Sequence, residues 1–184
     1  MTEPHRPILE SYWVLPGHLL AGEYPGELDE EHTRKRIDAL IEAGFDMFID
    51  LTKSDETWPY LNILHEEAKC YEVEVVHLRF PIGDFGLPTS QQMNSILDTI
   101  DQNVQAEHKI YLHCWGGIGR TGTTVGCYLV RQGKTGEAAL DQLSAWWRNV
   151  PKSRDFLHSP ETLEQMEFIR TWTEHDDKLR KAQE

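Results

Sequence analysis

His113-Cys114-Trp115-Gly116-Gly117-Ile118-Gly119-Arg120-Thr121-Gly122-Thr123-Thr124 is the stretch on which the reading of this chain turns. Before it, Lys109-Ile110-Tyr111-Leu112-His113 is a short apolar run rich in β-formers, which predicts a strand. After it, the pattern over residues 121–131 predicts a helix. A strand that ends in a glycine-rich turn and opens a helix is a generic anion cradle. Backbone N–H groups converge there, and the positive end of the helix dipole faces the site.

Working outward, strand and helix patterns alternate. Residues 13–15 and 18–21 read as short strands around the turn Pro16-Gly17. Residues 29–43 carry Ile37, Leu40 and Ile41 at helical spacing, with Gly44 as the stop. A strand follows over 45–51, then a helix over 58–69 with Leu61, Leu64 and Ala68 inward, then a strand over 73–78. Thr89 is a suitable N-cap for a helix bearing Met93, Ile96, Leu97 and Ile100. Two more helices are predicted over 136–150 and 160–175. Such alternation implies an α/β fold with a central, mostly parallel sheet flanked by helices. We expect one compact domain over 11–175, a flexible tail over 1–10 and a charged tail over 176–184. Functional loops in such sheets lie at the carboxyl ends of the strands, which puts the turn after Leu112 first.

Composition removes several classes. Eighteen Lys and Arg against thirty-one Asp and Glu give a net charge of −13. That argues against a nucleic acid or an anionic membrane surface as partner, because both need a basic face. No apolar run reaches the length of a membrane span, and Met1-Thr2-Glu3-Pro4-His5-Arg6-Pro7 lacks the apolar stretch of a secretory signal. Three cysteines (Cys70, Cys114 and Cys127) are odd in number and too sparse for a disulfide scaffold, so a reduced cytoplasmic protein is expected. Nine histidines show no HxH or HExxH spacing, and neither metal nor cofactor is expected.

The glycine-rich turn admits three readings. As a Walker A loop it has the Gly117 to Gly122 spacing, but the required Lys falls on Thr123. As a dinucleotide fingerprint it matches G-x-G-x-x-G, yet the acidic residue about twenty positions on, Asp141, lies inside a helical run. As a nucleophile site it makes chemical sense. Five residues separate Cys114 from Arg120, so the loop can curl until its N–H groups, the sulfur and the guanidinium face one tetrahedral oxyanion. The helix dipole and Arg120 favour the nucleophilic thiolate. Arg120 supplies a planar fork for two phosphate oxygens. A buried structural cysteine gives no reason for an arginine in the same turn.

His-Cys-x-x-Gly-x-x-Arg-Thr-Gly resembles the signature of the cysteine-dependent protein tyrosine phosphatase superfamily. Cys114-Trp115-Gly116-Gly117-Ile118-Gly119-Arg120 is similar to its dual-specificity branch, notably the cyclin-dependent-kinase-associated phosphatases, over roughly residues 13–172. The resemblance implies a phosphatase fold with this loop at its centre and a cysteinyl-phosphate intermediate. Cys114 would be the nucleophile, and Arg120 with the N–H groups from Trp115 through Gly116, Gly117, Ile118 and Gly119 would bind the phosphate. Release of the alcohol needs a proton donor. Asp84, between Gly83 and Gly86 in a loop bracketed by Pro81 and Pro88, is the candidate, and the resemblance puts the general acid on this loop. Asp46, Asp50 and Asp55 lack that context. Thr121 could donate its hydroxyl to the sulfur, as a Ser or Thr does in the family, and His113 would order the loop from beneath. In larger tyrosine phosphatases a late Gln positions water; here Glu161 stands at that place and Gln165 at the second Gln position, so the role is not carried over and Asp84 must activate water itself.

Other features have plainer readings. Trp146, Trp147 and Cys127 are expected in the core. Arg148, Lys152 and Arg154 compensate a helix end or dock acidic substrate flanks. Cys70 is a candidate resolving thiol without spacing to support it. The expected substrate is a phosphorylated protein, phosphotyrosine first with phosphoserine and phosphothreonine open, or a small phosphomonoester. An inositol phosphate or lipid phosphatase, and an inactive phosphate-binding module, are the alternatives. The sequence leaves the oligomeric state open.

Overall fold

In residues 4–173, the part of the chain that the computed structural model describes, β1 (Ser11–Leu15) and β2 (Leu19–Gly22) form a hairpin. Then come α1 (Glu30–Glu42), β3 (Met47–Asp50), α2 (Leu61–Cys70), β4 (Val76–Arg79) and α3 (Ser90–Gln105). β5 (Ile110–His113), α4 (Gly119–Arg131), α5 (Gly136–Trp147), a 3-10 turn (Pro151–Arg154) and α6 (Leu163–Arg170) complete it. The strands form one sheet in the order β1-β2-β5-β3-β4, antiparallel only between β1 and β2. This is a single α/β domain with a mostly parallel central sheet flanked by helices.

Period-2 alternation assigns the two faces of the sheet. Trp13, Leu20, Phe48 and Tyr111 pack with Ile37, Leu40 and Ile41 of α1 and Ile63, Leu64 and Ala68 of α2. Tyr12, Ala21, Ile49 and Leu112 pack on the other face against α3, α4, α5 and α6. Burial of each large apolar side chain contributes about 1.5–3 kcal/mol. Among the described residues, no helix is long and apolar enough to cross a membrane.

The starts of α1 and α3 follow capping residues: Asp29 accepts from Glu31 N–H, and Thr89 accepts from Gln92 N–H at 3.1 Å. Several boundaries differ from the sequence reading. α2 begins at Leu61 rather than 58, with Ile63 instead of Leu61 fully inward. β4 begins at Val76, because Glu72 adopts a positive φ and Val73 N–H returns to the Ala68 carbonyl, closing α2. α6 is shorter than expected: Thr162 and Gln165 form a capping box, which fixes its start after Pro160. Residues 4–10 are not a free tail. Ile8 is buried, Trp13 Nε1 donates to the Pro4 carbonyl, and Glu10 accepts from Lys152 N–H at 2.9 Å. The expected tail over 176–184 lies outside the described residues. Trp147 and Cys127 are in the core, and Trp146 stacks on Tyr12.

Candidate active site

β3 and β5 are neighbours, with Asp50 opposite His113, so the loops leaving their carboxyl ends meet. The loop after His113 is held from outside by its carbonyls. Trp115 O accepts from Tyr24 N–H at 2.8 Å, Gly116 O from Lys152 Nζ at 3.3 Å, and Ile118 O from Ser159 Oγ at 2.9 Å. A trans peptide aims its N–H opposite its C=O, so the N–H groups of Gly116, Gly117 and Gly119 turn inward. Among the described residues, the N–H groups of Trp115, Gly116, Gly117, Ile118 and Gly119 have no acceptor. This run of free donors beside the buried Cys114 is an anion cradle. Gly117 takes φ +73°, and a Cβ there would meet the Gly22 carbonyl carbon at 2.6 Å, so only glycine fits.

α4 starts at Gly119, two residues earlier than expected, which puts Arg120 in its first turn. The guanidinium is buried and fully engaged at its tips. Nη1 donates to Glu56 Oε2 at 2.8 Å and to the Ile82 carbonyl at 3.0 Å; Nη2 donates to Glu56 Oε1 and to Asp84 Oδ1 at 3.1 Å. Burial pushes the Glu56 carboxyl up, but Arg120 and the Lys53 N–H outweigh it and hold it below its ordinary value. Conversely, burial lowers Arg120 and Glu56 more than restores it. Glu56 escaped the sequence reading because it lies 64 positions from Arg120. The adjacency of β3 and β5 is the signal that could have found it.

Asp84, half exposed, reaches Arg120 from a loop closed by Gly86 N–H to the Gly83 carbonyl at 2.8 Å. A small cleft is lined by Cys114, Arg120, Asp84, Phe85, Ile118 and Glu161, so the structure brings the predicted cysteine, arginine and acid together. Asp50 is instead buried below the site, paired with Arg79 Nη2 at 2.8 Å, and Asp46 pairs with His108 at 2.9 Å. Among the described residues the buried Thr121 hydroxyl has no partner, so it is not bonded to the Cys114 sulfur in this structure. Gln165 is buried, accepts from the Glu161 and Thr162 N–H groups, and packs on Gly119. Cys70 is exposed at the end of α2, and Lys152 pairs with Glu23 besides gripping the loop.

His113 lies under the loop. Its Nδ1 is 3.3 Å from the Cys114 carbonyl, which can only accept, so Nδ1 carries the proton and Nε2 accepts from Tyr60 Oη at 2.8 Å. Burial lowers its pKa to about 4. The ring therefore stays neutral in the native protein while the unfolded chain binds a proton below about pH 6.5. Native stability should thus fall as pH drops from 6.5 towards 4, by about 3 kcal/mol at the acid end. Urea unfolding at neutral pH and near pH 4.5 checks this, and His113→Asn should flatten the slope; an equal slope in the variant removes His113 as its source.

Residues 26–134 match the family described as polymorphic toxin system, DSP-PTPase phosphatase. The chain belongs to that phosphatase family. The chain is 40% identical over 55 residues to an uncharacterized protein of Methanocaldococcus jannaschii, covering 30% of this chain and 35% of that one. It is 28% identical over 127 residues to dual specificity protein phosphatase CDC14C of Symphalangus syndactylus, covering 65% and 24%. The chain thus matches about a third or less of the length of these curated relatives. Among solved structures, Tk-PTP in its active form shares 25% identity with TM-score 0.63, over 88% of this chain and 94% of that one. Kinase associated phosphatase, at 16% identity and TM-score 0.69 over 99% and 97%, shares the fold.

Proposed function

We propose that this phosphatase hydrolyses protein phosphotyrosine through a cysteinyl-phosphate intermediate. The observation that carries it is the set of unaccepted N–H groups, with Arg120, around Cys114. The Cys114 thiolate attacks phosphorus, the ester P–O bond breaks, and Asp84 gives its proton to the departing oxygen. Water then attacks the phosphocysteine and passes a proton to Asp84. The S–P bond breaks and the thiolate is restored with inorganic phosphate. The four tip N–H bonds of Arg120 are already used, so a phosphate held by Nε–H and one Nη2 N–H would take the place of the contact from Asp84, the more exposed of the two Nη2 partners. That displacement frees the acid at the moment it is needed.

For the substrate, the five residues between Cys114 and Arg120 include neither Lys nor His to hold extra phosphates, and Trp115 and Phe85 offer exposed apolar surface to a ring. CDC14C, a dual specificity protein phosphatase, is the kind of relative that favours a protein substrate. On this reading the free cysteines suit the reducing cytoplasm. The test is kcat/KM for a phosphotyrosine peptide beside a soluble phosphoinositide at equal ionic strength. The peptide should be preferred by about tenfold or more, the phosphoinositide being penalised by the acidic field. A tenfold preference for the phosphoinositide overturns the proposal in favour of a lipid or inositol phosphate substrate.

A further inference from the structure

A groove of about 470 Å³ opens beside the catalytic cleft. Its walls are aromatic: Phe85 (60% exposed), Trp115 (57%) and Phe156 (44%). Its charges are mainly acidic. Glu23, Glu27, Asp84 and Glu161 line it against two cations, Arg36 and Lys152. Both cations are already taken, since Glu23 holds Arg36 and Lys152, and Glu27 holds Arg36 at 2.7 Å. Asp84 shares Arg120 with Glu56.

Glu161 differs from the rest: among the described residues its carboxylate has neither ion-pair nor hydrogen-bond partner. It lines both the groove and the catalytic cleft, at their junction. Burial and the neighbouring Asp84 charge push its carboxyl above the ordinary value, a tension that an incoming cation relieves. Beyond Glu27, a second cavity of about 340 Å³ between α1 and α2 adds the exposed Leu28 and Trp58 with Glu30 and Glu66. The two cavities share Glu27, so together they suit an extended chain better than a lone phosphate ester.

We propose that the groove seats the polypeptide flanking the phosphotyrosine, and that Glu161 selects substrates with an Arg or Lys close to that residue. This rests on the phosphotyrosine reading above. A guanidinium there would meet the free carboxylate and could lie on the Phe85 or Trp115 face, both interactions that an acidic flank forfeits. Acidic flanks would face the unpaired Glu161 carboxylate at short range.

The experiment uses one phosphotyrosine peptide with Arg, Ala or Glu placed in turn at each of the three positions on either side. The readout is the Arg-to-Glu ratio of kcat/KM, which cancels any general effect of a variant on chemistry. At one position or more the ratio should reach about tenfold at low salt and shrink at high salt. Glu161→Gln should reduce it and Glu161→Lys should bring it to one or invert it. A ratio within twofold at every position, or one that Glu161→Lys leaves intact, overturns the inference while the Ala peptide continues to report a phosphotyrosine phosphatase. Hydrolysis of the phosphoinositide with none of the peptides cleaved overturns both readings.

Discussion

Changing Cys114 to Ser should leave phosphate bound and turnover lost. The hydroxyl fits the same buried space, and the N–H groups of Trp115 to Ile118 still find the anion. A serine hydroxyl stays protonated at neutral pH, however, and the cradle holds no base placed to take its proton: His113 Nδ1 is turned to the Cys114 carbonyl and Nε2 to Tyr60. Loss of the nucleophile should therefore lower kcat by about 10⁴-fold or more. Isothermal titration with phosphate and steady-state rates on an aryl phosphate separate the two effects. Turnover within tenfold of the parent would remove Cys114 from the proposed role.

Arg120→Lys should fail although it keeps the charge. The guanidinium spans both oxygens of Glu56, the Ile82 carbonyl and Asp84 at once, and a single ammonium cannot reproduce that fork. The interactions lost are those that tighten as charge moves onto the equatorial oxygens, so kcat should fall by about 10²- to 10³-fold, with kcat/KM falling alongside. A change confined to KM would make Arg120 a ground-state anchor only. Unfolding midpoints on the same variant control for the strain of leaving Glu56 poorly paired.

Much of the site could be read from one turn because its residues are local. Cys114 and Arg120 sit on the same turn, and a strand before glycines before a helix is enough to bring those two together. Asp84 was legible for a related reason, since its glycines and prolines mark a loop at the end of another parallel strand. Glu56 was not, because it acts through a pairing of loops that only the strand order reveals. Thr121 was not read from local geometry. Position in the motif suggested a bond to sulfur, whereas the hydroxyl direction depends on how early the helix starts. The late start of β4 comes from the positive-φ turn at Glu72, which periodicity does not register. The N-terminal segment misled because Pro and polar residues resemble a tail, while a single buried Ile8 and the carbonyl of Pro4 anchor it.

The contact between Gly117 and Gly22 bears on where this catalytic unit can be cut. The stretch that carries the family match starts at residue 26, four positions after the backbone on which Gly117 rests and two after the Tyr24 N–H that holds the Trp115 carbonyl. It stops at residue 134, before Lys152 and Ser159 contribute the other two outer ties. A fragment trimmed to the matched stretch would carry every residue of the signature yet none of the three clamps that turn its amides inward. Homology here marks the part of the chain that keeps its letters, and the working unit is wider than that, because the frame that aims those letters is built from both flanks.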